Sequence, residues 1–356
     1  MMIMKLLYVC GKERSYIRNV LILKGLQNCS YNIIDCSDTS KTYLARFIKT
    51  GYKFLAAKKE GINFVFVGCL GHHLVPMIKK TTAKPIIFDP FVSTYDTMCL
   101  DRKKFKSDSP AGKFFYWLDK YSCEQAGRIL LDTDAHIDYF SSTFGLPKNR
   151  FHRVFVGADE SVFFPRKAER EDRRFRIFYY SSFLPLHGMA YVVQAARKLQ
   201  NDKEIEFLVV GKGQEHKKVR NLAQRIGVEN VRFIDWVPYE NLPREIANAD
   251  ICLGGHFSDI EKAKRVIAGK TFQFIAMKKP VIVGDCPGNR ELFTNRENAL
   301  FAKMADADSL AAAILELKND EPLRTKIAEE GYKTFIEKCT TDAIGRELKR
   351  VVEGLK

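Results

Sequence analysis

A short basic run leading into a helix is the most chemically suggestive part of this 356-residue sequence. Lys262, Lys264 and Arg265 come just before Gly269-Lys270-Thr271, and an apolar helical stretch follows. The first N–H groups of a helix lack intrahelical partners and carry a partial positive charge, so anions are favoured there. Gly269 lets the backbone come close to a ligand, Lys270 supplies a point charge, and the Arg265 fork fits two phosphate oxygens. A solvated basic loop ahead of a structural helix fits the same letters.

Three further stretches carry polar groups at the ends of apolar runs. Ser181 and Ser182 follow one such run, and His187-Gly188 opens the next helix. In a doubly wound sheet this first strand-to-helix turn approaches bound phosphate. Gly211-Lys212-Gly213 is a Gly-x-Gly whose third position is His216, which makes it weak as a dinucleotide fingerprint but leaves a turn a nucleobase could lie against. Asp89 ends another run, where its carboxylate could orient a sugar hydroxyl, act as a base, or simply cap the turn before Pro90. His72-His73 has no third ligand at helical spacing, so no metal site is implied. Asp132-Thr133-Asp134 and Asp306 read as helix N-caps.

These residues need a scaffold, and the apolar runs supply it. Strand-like segments fall at residues 6–10, 31–35, 63–68, 85–89, 128–132 and 151–156. A second series falls at 175–180, 206–210, 231–234, 251–253, 280–283 and 299–301, after a charged linker at 165–174. Helical patterns separate them, such as Leu44, Phe47, Ile48, Tyr52 and Leu55, with Arg46, Lys49, Lys53 and Lys58 off that stripe. Strands alternating with helices mean parallel sheets covered on both faces. The reading is an α/β chain with two Rossmann-like doubly wound parallel-sheet domains facing across a cleft. The first spans residues 1–165, the second 166–334, and a final helix at about 335–356 returns to the first.

The net charge is +15, and residues 1–165 hold 24 Lys and Arg against 15 Asp and Glu. Such a balance favours anionic partners. Nucleic acid is the weaker candidate, because no binding motif accompanies the charge. The run Arg102–Lys106 with Lys113-Phe114-Phe115-Tyr116-Trp117 suits an anionic membrane surface, although helical aromatics commonly face a core. No apolar run is long enough to span a bilayer and no secretory leader pattern is visible. Nine scattered cysteines fit reduced, buried thiols, so a cytoplasmic protein, peripheral at most to the inner face of the membrane, is expected.

The order of motifs resembles the retaining GT-B glycosyltransferases of family 4, the glycosyl transferases group 1 set. The carrying residues are Val154–Pro165, Val231–Pro243 with Ala249-Asp250, Ala276–Ile282 and Gly288–Leu292. The resemblance implies a GT-B fold and transfer of a sugar from a nucleoside diphosphate sugar to a hydroxyl of a glycan or lipid-linked acceptor. It also implies retention of configuration and no metal or other cofactor, the leaving diphosphate being stabilised electrostatically. Donor contacts would come from Ser182, His187, Gly188, Lys212, Val237, Arg265, Lys270, Gln273, Gly288, Asn289 and Glu291, with Asp89 on the acceptor side. Where many members carry two glutamates eight residues apart, this sequence has Arg265 and Gln273. A nucleotide-sugar epimerase and a non-catalytic binding subunit are the alternative readings.

Overall fold

The computed structural model describes residues 4–355 and contains two units, one made of residues up to Val156 together with those from Thr341, the other of Gly157–Thr340. The first unit holds β1 (Lys5–Cys10), β2 (Asn32–Asp35), β3 (Phe64–Gly68), β4 (Ile86–Phe88), β5 (Arg128–Leu131) and β6 (Phe151–Arg153). The second holds β7 (Phe175–Tyr180), β8 (Ile205–Val210), β9 (Val231–Ile234), β10 (Ile251–Leu253), β11 (Val281–Gly284) and β12 (Leu300–Ala302). All neighbouring strands run parallel.

The helices are α1 (Ile17–Asn28), α2 (Tyr43–Ala56), α3 (Leu74–Thr81), α4 (Pro110–Gln125) and α5 (Asp134–Phe144) in the first half. There follow α6 (Met189–Leu199), α7 (His216–Arg225), α8 (Leu242–Ala247), α9 (Glu261–Arg265), α10 (Gly269–Ala276), α11 (Pro287–Arg290), α12 (Ala307–Asn319) and α13 (Glu321–Lys338). Last comes α14 (Thr341–Glu353).

The strand orders are β2-β1-β3-β4-β5-β6 and β12-β11-β10-β7-β8-β9. Each is doubly wound, with the direction of winding reversing between β1 and β3 in the first sheet and between β7 and β10 in the second. At such a reversal the loops leave in opposite directions and open a crevice beyond the strand ends, where ligands bind. Strands buried on both faces need uninterrupted apolar runs, and Phe64–Gly68 and Ile205–Val210 are buried throughout.

The boundary expected at residue 165 lies instead at Val156, because the segment after it is tied to the second unit. Ala158 N–H donates to the Cys339 carbonyl at 3.3 Å, and Phe163 is buried edge-on to Tyr239. The chain returns to the first unit at Thr341, and α14 lies along α1 through Ile344, Leu348, Val351 and Val352. Gly25 and Gly345 allow that crossing: a Cβ on Gly345 would sit 2.8 Å from the Gly25 carbonyl oxygen.

The Asp132-Thr133-Asp134 stretch caps α5 as expected, through Thr133, whose hydroxyl accepts from His136 N–H at 3.1 Å, while Asp132 holds the His136 ring at 2.7 Å. One local expectation is corrected: helix α2 is rotated from the side its pattern suggests. It buries Arg46, Thr50, Gly51 and Phe54 and turns Leu44, Ile48, Tyr52 and Leu55 outward. Arg46 fixes the rotation, because its guanidinium donates to the carbonyls of Gly11, Ser40 and Lys41 at 3.2, 2.8 and 2.9 Å. Asp306 does cap its helix, accepting from Ser309 N–H at 2.9 Å.

Candidate donor site in the second unit

The turn after β7 and the loop after β10 meet at the reversal point of the second sheet. Gly188 has φ of +69°, and a Cβ there would lie 2.5 Å from Phe257 C and Ser258 N. Only glycine permits this approach. Ser258 Oγ then donates to the Leu186 carbonyl at 2.8 Å, and Tyr179 Oη to the His187 carbonyl at 3.2 Å. The outcome is a stacked pair of imidazoles: His187 and His256 lie 5.3 Å apart at an interplanar angle of 3°. Their Nδ1 atoms are both sealed from solvent without a hydrogen-bond partner among the described residues.

Lys270, in the first turn of α10, completes the cluster. Its Nζ lies over the Tyr179 ring at 3.9 Å from the centroid, a cation–π contact. Gly255 leaves room for it, since a Cβ on that residue would approach Nζ to 3.7 Å. The side chain is buried, and burial drives its pKa well below that of an ordinary lysine, with no acidic group among the described residues to offset it. Burial, then Lys270, then His256 hold the His187 pKa far down; burial, Lys270 and Lys262 push His256 down to about 3. Three basic groups therefore converge with no carboxylate between them. Buried charge normally comes with a counter-charge, and with none among the described residues burial holds these groups toward their neutral forms.

Helix α10 opens beside this cluster. No side chain caps it, Gly269 is exposed, and a Cβ on Gly269 would meet nothing within 4 Å. Its first N–H groups lie in the same turn as Lys270.

The other expected donor residues fall around it in different states. Ser182 is exposed on the β7 turn. Gln273, one turn into α10, is buried, and its Oε1 accepts from the Tyr180 hydroxyl. Arg265 ends α9, half-buried, with Gly288 against its backbone; a Cβ on Gly288 would lie 2.7 Å from Arg265 C. Glu291 is half-buried at the end of α11. Lys212 and Val237 lie in the loops after β8 and β9; Lys212 is exposed, with Nζ 3.5 Å from Asp235. The two glycines beside Lys212 have a structural explanation: a Cβ on Gly211 or Gly213 would strike the carbonyl oxygens of Ser181 and Ser182 at 1.8 Å.

Asn289 is fully buried; its Nδ2 donates to the Gly284 carbonyl at 2.7 Å and braces the end of β11, while its Oδ1 is sealed without a hydrogen-bond partner among the described residues. One expectation gives way. Asp89, expected as an acceptor-side polar group or base, is fully buried in an ion pair. Arg18 Nε donates to its Oδ2 at 2.8 Å, and Arg18 Nη1 to the carbonyls of Val154 and Phe155 at 2.7 and 2.9 Å. A carboxylate engaged this way ties β4 to the segment after β6 and is not placed to take a proton. His256 and Tyr179 were not singled out from the sequence; the only hint was that Leu253-Gly254-Gly255-His256 ends an apolar run as His187 does.

Comparison with known proteins fits this geometry. Residues 162–334 match the family model described as Glycosyl transferases group 1. That match lies within the second unit. The chain is 21% identical over 243 residues to alpha-D-kanosaminyltransferase of Streptomyces kanamyceticus, a match covering 65% of this chain and 61% of that relative's length. Among solved structures it resembles sucrose-phosphate synthase from Thermosynechococcus elongatus, with a TM-score of 0.77 and 12% identity over 99% of both chains. It also resembles Anabaena Alr3699/HepE in complex with UDP-glucose, with a TM-score of 0.74 and 13% identity over 99% of this chain and 100% of that one. At these identities the structural likeness speaks for the fold, which is GT-B: two parallel six-stranded sheets flanked by helices. The stacked histidines and Lys270 lie within the residues that this family model matches.

Proposed function

We propose that the chain transfers a sugar from a nucleoside diphosphate sugar to a hydroxyl of a glycan or lipid-linked acceptor, with retention of configuration and without a metal. The single observation that carries the donor part is the buried Lys270 beside His187 and His256, uncompensated by any acid and adjoining the open start of α10. In this reading the diphosphate supplies the negative charge that the cluster lacks. As the bond between the anomeric carbon and the phosphate oxygen breaks, charge builds on the leaving diphosphate, and Lys270 with the α10 N–H groups stabilises it. The acceptor hydroxyl supplies the new glycosidic oxygen, and its proton passes to the departing diphosphate oxygen. Gln273 with Tyr180 serves as a neutral hydrogen-bonding pair for ribose hydroxyls, Arg265 is a second cation for the diphosphate, and Gly288 and Glu291 belong to the sugar side of the donor. The relative bound to UDP-glucose supports a uridine nucleotide as the first donor to try. The place of work would be the cytoplasmic side of a membrane.

Calorimetry with UDP and turnover of sugar nucleotides test the proposal directly. Lys270→Ala is expected to weaken UDP binding by about ten- to a hundredfold, the loss of one charge-assisted contact of about 1.5–3 kcal/mol. Unchanged affinity and turnover in this variant would overturn the assignment. Conversion of the donor to its epimer without any acceptor would instead make the site that of an epimerase.

A further inference from the structure

Exposed large apolar side chains are unevenly spread over the described residues. Nine of the thirteen lie between Tyr43 and Trp117, all in the first unit. The centre of this surface is the outward face of α2, where Leu44 is 66% and Tyr52 74% exposed, with Ile48 and Leu55 on the same stripe. The contacts of Arg46 hold this helix with its apolar stripe facing solvent, so the exposure is part of how the helix is seated. The second component is α4, which exposes Phe114 and Trp117.

His73 connects the two helices. Its ring lies 5.7 Å from Tyr43 and 6.2 Å from Phe114, and Phe114 is 6.1 Å from Trp117. The rings of Tyr43, His73, Phe114 and Trp117 therefore run in a chain from the start of α2, whose outward stripe begins at Leu44, to α4. The rim of this surface is basic: Lys41, Lys49 and Lys53 along α2, and Arg102, Lys103, Lys104, Lys106 and Lys113 ahead of and on α4, are all exposed. Asp38 engages Lys53, but few acids offset the rest.

We infer that this face of the first unit docks on an anionic lipid bilayer, with the α2 stripe and the Phe114–Trp117 edge entering the interface and the lysines meeting the headgroups. An apolar stripe flanked by lysines whose stems can lie along it suits the headgroup boundary of a membrane, where aromatic rings also settle. A protein partner or a second copy would satisfy the apolar stripe, but the lysine rim favours a surface of dense negative charge. This names the contact surface for the membrane location proposed above and does not depend on the donor site.

Co-sedimentation of the full chain with vesicles tests it, using phosphatidylcholine alone and phosphatidylcholine mixed with phosphatidylglycerol. Binding is expected only to the mixed vesicles. Leu44→Ser/Ile48→Ser should reduce it by roughly tenfold or more, as two apolar side chains leave the interface. Lys103→Glu/Lys104→Glu should reduce it by at least about fivefold for each lysine removed. Both variants should keep the wild-type melting temperature and UDP affinity, because the altered side chains are exposed and lie outside the donor unit. Equal binding to neutral vesicles, or wild-type binding by both variants, would overturn the inference. A lipid-free, concentration-dependent dimer lost in Leu44→Ser/Ile48→Ser would also overturn it, giving the face to a second copy. Loss of UDP binding by the wild-type protein would count against the donor reading alone.

Discussion

Arg18 and Lys270 are both buried cations, yet they differ in what surrounds them. Arg18 has a carboxylate and two carbonyls as acceptors, whereas Lys270 has an aromatic face and no acid. Asp89→Ala would strand the guanidinium and is expected to lower the free energy of unfolding by about 3–5 kcal/mol, read from urea denaturation. Lys270→Met should act the other way. It removes an uncompensated ammonium, so the melting temperature of the free protein holds or rises, while UDP no longer raises it further. A fall in stability without ligand would show that Lys270 has a structural partner. This contrast was only half legible in the sequence. Lys270 stood out because it follows a glycine at a helix start. Asp89 stood out for the same kind of reason and is an internal strut, because its partner, Arg18, is 71 residues away and no local pattern announces it.

At the level of elements, apolar runs translate directly into strands, since a strand covered on both faces has no alternative composition. Helices are less transparent. The period of α2 announces a stripe but cannot say which side turns inward, and the outcome was decided by carbonyls at Gly11, Ser40 and Lys41 that only the folded loops bring together. Glycines mislead in the same way: Gly211 and Gly213 look like a nucleotide turn and are required by the carbonyls of Ser181 and Ser182. The α1–α14 crossing gives a direct test. Gly345→Val should cost about 1–3 kcal/mol by overpacking against the Gly25 backbone, measured as a lower urea midpoint with an unchanged slope.

Over the whole molecule, buried imidazoles make the chain sensitive to acid. Burial pushes His256 down to about 3 and His72 to about 4 from an ordinary value of 6.5. Both rings are neutral in the folded chain and take up protons on unfolding below about pH 6.5, so the unfolded state binds more protons there. The contribution of these two rings to stability is therefore full above about pH 6.5 and falls progressively toward pH 4. Melting temperatures recorded across that range should decline, and less steeply in His256→Gln. UDP affinity should move oppositely, tightening as the pH falls, because an anion favours the charged rings.

Biosynthesis meets the two units in an order that the first one cannot follow. A ribosome delivers everything up to Val156 well before Thr341–Glu353, which cover Leu6, Tyr8, Leu21 and Leu26 in the finished protein. At ordinary elongation rates that apolar face waits on the order of ten seconds or more. The half translated second can close first, and the nascent first sheet is left as the stretch on which a chaperone has most to protect.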